Sequence, residues 1–141
     1  KTQTDTNLTQ MDQVLGTPAY MAPEQIMGQA CDGRSDLYSL GCVGYYLLTG
    51  QPPFVAEPPM QVLLEHLQTK PPELSSRLGK TLNHPVEEVI MACLAKEPGD
   101  RPATAALLFS QLRSMPLWDE QQSASWWQQT ERKHSAGLAA L

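Results

Sequence analysis

The chain has 141 residues, 41% of them hydrophobic, and ten basic against fifteen acidic side chains give a formal net charge of −5. That length supports one modest core plus a tail, and the acidic balance offers no electrostatic footprint for nucleic acid or an anionic membrane surface. The longest apolar run, around Tyr45 to Leu48, is far short of the ~20 residues of a membrane span, and no secretory signal opens the chain. Cys31, Cys42 and Cys93 are too far apart for a zinc pattern, and their odd number argues against a complete disulfide framework. They are read as buried thiols in a reducing, cytoplasmic compartment, with no metal site. The first residue is Lys1 and not methionine, which points to a longer parent protein.

Residues 1–13 are polar, carry Thr2, Thr4, Thr6 and Thr9, and show no apolar period of 3.6 or 2, so a loop is expected there. In the segment from Gly16 to Glu24, Pro18 and Pro23 forbid a regular helix, and only Pro23 to Met27 suits a short one. Ser35 to Thr49 reads as a helix with Ser35 as N-cap and Gly50 as its stop. Apolar nearly all round, it is expected to be the central buried helix. Gly41 and Gly44 each cost about 1 kcal/mol relative to alanine inside a helix, which marks them as points of close packing. A second helix is predicted from Pro59 to Gln68 with Met60, Leu63, Leu64 and Leu67 on one stripe. After a loop from Lys70 to Asn83, Pro85 opens a third helix whose buried face holds Val86, Val89, Ile90, Cys93 and Leu94. A proline-bounded turn, Lys96 to Pro102, leads into a helix from Ala103 to Arg113 with Leu107, Leu108 and Leu112 as apolar positions. Beyond Pro116 the composition turns to glutamine, serine and tryptophan. A short helix carrying Trp126 and Trp127 is expected there, and Trp118, Trp126 and Trp127 are expected to dock on the preceding helices. No strand and no internal repeat is predicted.

Three pieces of this sequence stand in an order that is familiar. Gly16 to Glu24 resembles the end of a protein-kinase activation segment, which closes in an A-P-E motif, here Ala22-Pro23-Glu24. Ser35 to Gly41 is similar to the start of the central helix of the kinase C-terminal lobe, and Asp100-Arg101-Pro102 to the turn before its last helix. The resemblance covers roughly Lys1 to Arg113 and implies an all-α fold: the helical C-terminal lobe of a eukaryotic-type serine/threonine kinase, of a bacterial eukaryotic-like flavour. Residues 1–114 would be the partial kinase domain and residues 115–141 a Trp/Gln-rich tail.

The resemblance also implies roles. Gly16, Thr17, Pro18, Ala19 and Tyr20 would form the wall that positions a peptide substrate, Thr17 hydrogen-bonding the catalytic aspartate and lysine. Asp36 would anchor the catalytic loop by accepting backbone amides, although its place near a helix start is also accounted for by the macrodipole. Glu24 and Arg101 would pair as a buried clamp, and Thr9, then Thr6 and Thr4, are candidate phosphorylation sites. The glycine-rich loop, the strand lysine, the H-R-D base and the D-F-G metal ligand are absent from the chain. The parent would use ATP and magnesium to phosphorylate serine or threonine of protein substrates, while this chain alone binds neither and is not catalytic, with an apolar face left uncovered. The alternatives are a pseudokinase-like or stand-alone protein-binding module, and an unrelated helical interaction domain.

Overall fold

A computed structural model describes residues 17–82, 84–116 and 119–139, with the side chains of the last segment described to residue 129. Gly16, Thr4, Thr6, Thr9 and Trp118 lie outside the described residues. Within them the chain is helical and holds no strand, and no helix is long and apolar enough to cross a membrane.

After a 3-10 turn at Pro18–Tyr20, α1 spans Pro23–Ile26, with proline at its first position and the Gln25 side chain accepting the Ala22 N–H at 2.8 Å. Helix α2 spans Gly33–Thr49 and starts two residues before the predicted Ser35. Asp32 is its N-cap: the carboxylate accepts the Arg34 amide at 2.8 Å and is also gripped by the Arg34 guanidinium. Ser35, relieved of capping, is buried within the first turn. At the far end Gly50 takes φ +76 and donates to the Tyr46 carbonyl at 2.8 Å, a left-handed stop open to glycine at no steric cost.

One face of α2 makes the core. Tyr38, Cys42 and Tyr45 are buried with Ala22, Leu74, Ile90 and Leu94, and Leu37 joins Cys93 and Leu108 in a second cluster. The opposite face corrects the expectation of burial all round: Leu40, Val43 and Leu47 are exposed, Leu47 at 74%. They line an apolar groove with Val86, Val89 and Leu112.

Helix α3 runs over Pro59–Gln68 as the spacing predicts, but its buried stripe is Val62, Leu63 and His66, with Met60 and Leu64 exposed. The face is turned because the rings of Tyr38 and Phe54 meet His66 edge-on at 5.6 and 4.9 Å. Helix α4, Leu74–Leu78, falls where a loop is expected. It is held from outside, Glu87 accepting the Ser75 amide at 2.8 Å and its hydroxyl at 2.6 Å. Helix α5, Val86–Cys93, begins after Pro85. Helix α6, Ala105–Arg113, starts two residues later than predicted because Thr104 caps it by accepting the Leu107 amide at 3.2 Å, and of its leucines Leu108 is buried and Leu107 exposed.

The tail forms α7, Glu120–Ala139, far longer than the predicted short helix. Asp119 and Gln122 cap its start reciprocally at 2.7 and 3.0 Å. Trp126 and Trp127 meet edge to face at 4.8 Å and remain 44% and 59% exposed, so these two indoles are not buried against the preceding helices as expected. Cys31 is likewise exposed, on the loop before α2, whereas Cys42 and Cys93 are buried, and burial pushes their thiols up to about 12 and about 11.

Gly41 and Gly44 of α2 mark its crossing with α5. A Cβ on Gly41 would stand 2.8 Å from Cys93 Cβ, an atom fixed to the α5 backbone, while one on Gly44 would stand 3.2 Å from Cδ1 of Ile90, a mobile side-chain end. Gly41→Ala is therefore expected to destabilise the chain by about 1–3 kcal/mol through overpacking. In Gly44→Ala the helix-propensity gain of up to about 1 kcal/mol offsets a small adjustment of Ile90. Urea midpoints of the two variants check this; equal shifts would contradict a backbone contact confined to Gly41.

Candidate functional site

The segment from Thr17 to Glu24 is shaped by its prolines. Thr17 is extended and exposed, its side chain makes no capping bond, and Tyr20 and Met21 donate back to the carbonyls of Thr17 and Pro18 at 3.1 and 3.3 Å. Pro18, Ala19 and Tyr20 are half-buried, packed on α2 and α3. Tyr20 rests on the main core, and the Ser39 hydroxyl of α2 donates to its carbonyl at 2.8 Å. The turn is thus braced from below with its Thr17 end open.

Directly after it, Ala22 and Pro23 are buried and bring Glu24 to the inside of the molecule. There it meets Arg101, which follows the 3-10 turn Pro98–Asp100. The guanidinium grips the carboxylate with two bonds, Nη1 to Oε1 at 2.7 Å and Nη2 to Oε2 at 2.8 Å. Its other three N–H groups donate to the carbonyls of Ala95, Arg34 and Lys96 at 2.8 to 2.9 Å. All five donors of the arginine fork are therefore used. Oε1 of Glu24 also accepts the Ser35 hydroxyl at 2.6 Å, and the Tyr38 ring lies under the guanidinium at 4.9 Å.

Both side chains are sealed from water, at 3% exposure for Glu24 and 5% for Arg101. Burial alone would raise the Glu24 carboxyl, but the hydrogen bonds from Arg101 and Ser35 overcome it and hold the group at about 2. One ion pair thereby joins α1, the first turn of α2 and the end of α5 across 77 residues of sequence.

Asp36 stands apart from this cluster. It is exposed on the first turn of α2, beside an open cleft bounded by Asp32, Arg34 and residues 103–105, and its carboxylate makes no hydrogen bond among the described residues. The buried, amide-bound state that the resemblance implies is not formed within them. No cluster of histidine, cysteine, aspartate or glutamate suited to a metal is present among the described residues.

Four supporting side chains escape a reading of the sequence. Ser35 is the second donor to Glu24, Tyr38 floors Arg101, Ser39 fixes the Tyr20 carbonyl, and His66 fills the space beneath the turn. A signal existed only for His66, which recurs three and four residues after Leu63 and Val62 and so shares their face of α3.

Comparison with known proteins agrees with this layout. The family described as protein kinase domain matches residues 2–113. A probable serine/threonine-protein kinase of Corynebacterium efficiens is 44% identical over 108 residues, covering 74% of this chain and 16% of the relative. The serine/threonine-protein kinase PknB of Mycobacterium leprae is 43% identical over 101 residues, 72% of this chain, and that of Mycobacterium tuberculosis is 43% identical over 100 residues, 71% of this chain. The matched region is 16% of each of those two relatives as well. A match running from the second residue to the end of α6 exceeds a shared motif: the chain belongs to the protein kinase family and represents its helical C-terminal lobe.

Proposed function

We propose that this chain is the peptide-positioning part of the catalytic domain of a serine/threonine protein kinase. The single observation that carries the reading is the sealed Glu24–Arg101 pair at the foot of the Pro18–Tyr20 turn. Phosphoryl transfer asks the protein chiefly to hold a hydroxyl in line with the γ-phosphate and to stabilise spread charge, so a ledge that does not yield under a bound peptide is chemically useful. Thr17 to Tyr20 form that ledge, and Gly16 is assigned to the same substrate wall. Exposed Thr17 is free to hydrogen-bond the catalytic aspartate and lysine, and Pro18 and Ala19 shape the wall for the residue after the acceptor.

In this reading Asp36 receives the catalytic loop in the cleft beside α2, and Thr9, with Thr6 and Thr4 behind it, accepts the activating phosphate. ATP and magnesium supply the transferred phosphoryl group and the charge that neutralises it. The glycine-rich loop, strand lysine, H-R-D and D-F-G motifs that hold them are not in this sequence, so this reading assigns those ligands to other segments of the parent and takes the isolated chain as inactive. The protein partners are substrates with serine or threonine acceptors.

The test is to recover the coding sequence upstream of Lys1, express the longer protein, and incubate it with labelled ATP and a general protein substrate. Intact H-R-D and D-F-G segments with label on serine or threonine are expected. Damaged motifs without transfer would turn the reading to a pseudokinase, and label confined to tyrosine would overturn the specificity.

A further inference from the structure

A buried imidazole lies under the turn that the kinase reading assigns to the substrate. His66 has no exposed surface, and its ring sits between Tyr38 and Phe54. Nδ1 is 2.8 Å from the Tyr38 hydroxyl. Nε2 is equally sealed and has no hydrogen bond of full geometry. A ring nitrogen left so deep in a core needs an account. Helix α3 packs on the Pro18–Tyr20 turn, and the Ala19 backbone acts on the ring so as to favour a proton. An amide N–H would disfavour one and Tyr38 already occupies Nδ1, which makes the Ala19 carbonyl the candidate partner of Nε2.

Two tautomers are available to a neutral histidine. With the proton on Nδ1, the ring would donate to Tyr38 and turn an Nε2 lone pair towards the Ala19 oxygen, two acceptors facing each other in a dry site. With the proton on Nε2, the Tyr38 hydroxyl donates to Nδ1 and the ring donates towards Ala19. Only the second arrangement satisfies every group.

We propose that His66, in its Nε2–H tautomer, is a positioning residue that relays the Tyr38 hydroxyl of α2 through α3 to the Ala19 carbonyl and so sets the height of the substrate ledge. Ser39 does the same for the neighbouring Tyr20 carbonyl at 2.8 Å. The two carbonyls on the underside of the turn are thus held from two different helices. The relay makes no contact with substrate: it acts on the recognition of the residue after the acceptor and leaves nucleotide binding alone. That kinetic consequence rests on the kinase reading, whereas the tautomer does not.

Two measurements test the relay. Histidine side-chain nitrogen NMR on this chain is expected to show His66 protonated at Nε2 and unprotonated at Nδ1, with the Ala19 carbonyl-carbon resonance moving in the Tyr38→Phe/His66→Leu variant. An Nδ1-protonated ring, or an unmoved Ala19 carbonyl, would overturn the proposal. In the longer protein, the same double variant is expected to raise the peptide KM about tenfold while the ATP KM stays within about twofold. Tyr38→Phe/His66→Gln, which returns a donor at the Nε2 position, is expected to recover most of the peptide KM. Equal kinetics for the leucine and glutamine versions would make His66 a packing residue only. If the unaltered longer protein transfers no phosphate, the kinase reading fails by itself and the relay is decided by the NMR result.

Discussion

Arg101→Met is expected to destabilise the chain by about 3–5 kcal/mol, the range for removing one partner of a buried ion pair. The loss has two sources. Glu24 keeps its carboxylate at 3% exposure with only the Ser35 hydroxyl as a side-chain donor, and the carbonyls of Arg34, Ala95 and Lys96 lose the donors that satisfied them. Against a total stability of about 5–15 kcal/mol for a domain, such a change removes between about a fifth and all of it. Glu24→Gln is expected to cost less, because the amide keeps its shape and one acceptor but turns an NH2 towards a guanidinium N–H. Glu24→Leu with Arg101→Met should recover only part of the loss: the double change removes the lone charge but leaves the three carbonyls orphaned. Urea unfolding followed by helical circular dichroism gives all three values. A cost below about 1 kcal/mol for Arg101→Met would place the pair with ordinary surface bridges and remove the physical basis for a rigid ledge.

The same pair shows why the sequence is readable at some positions and silent at others. Glu24 and Arg101 are 77 residues apart, and no local period connects them; only their membership in two ordered motifs does. Helix α3 is legible to the residue because proline opens it and its apolar positions recur at the helical period. Its orientation is not, since the choice of His66 over Met60 and Leu64 for the inner face is made by Tyr38 and Phe54 from elsewhere in the chain. Helix α4 is too short to carry a period and is held by Glu87 of α5, a tertiary cause that no window of residues 70–83 contains. The start of α2 is not legible for the opposite reason: Asp32 and Ser35 are equally good caps by type, and Arg34, which binds the Asp32 carboxylate, favours the earlier one. The exposed face of α2 marks a limit of composition, because apolar side chains all round a helix state what it can bury and not what covers it.

Acidification from pH 7 to 2 is expected to unfold the chain in two stages with different owners. His66 is held at about 4, first by burial and then by the nearby Lys96 charge. An exposed histidine titrates near 6.5. The unfolded chain therefore binds a proton between about pH 6.5 and 4 that the folded chain refuses, so the His66 contribution is constant above that window and stability falls through it. The gap between those two values corresponds to roughly 3 kcal/mol. Glu24 acts lower down. Its folded value of about 2 lies below the ordinary 4.5, so its contribution is complete above about pH 4.5 and is lost as pH falls towards 2. Asp32 and Glu87 are also held below the ordinary range, by Arg34 and Ser75 respectively, and deepen this second stage. Tyr38→Phe/His66→Leu should flatten the upper stage and leave the lower one, while Glu24→Gln should do the reverse. Stability measured by urea at half-unit pH steps separates them. A slope between pH 6.5 and 4.5 that survives the loss of His66 would mean that the imidazole is not the group charging on unfolding, and that the space beneath the Pro18–Tyr20 turn admits water.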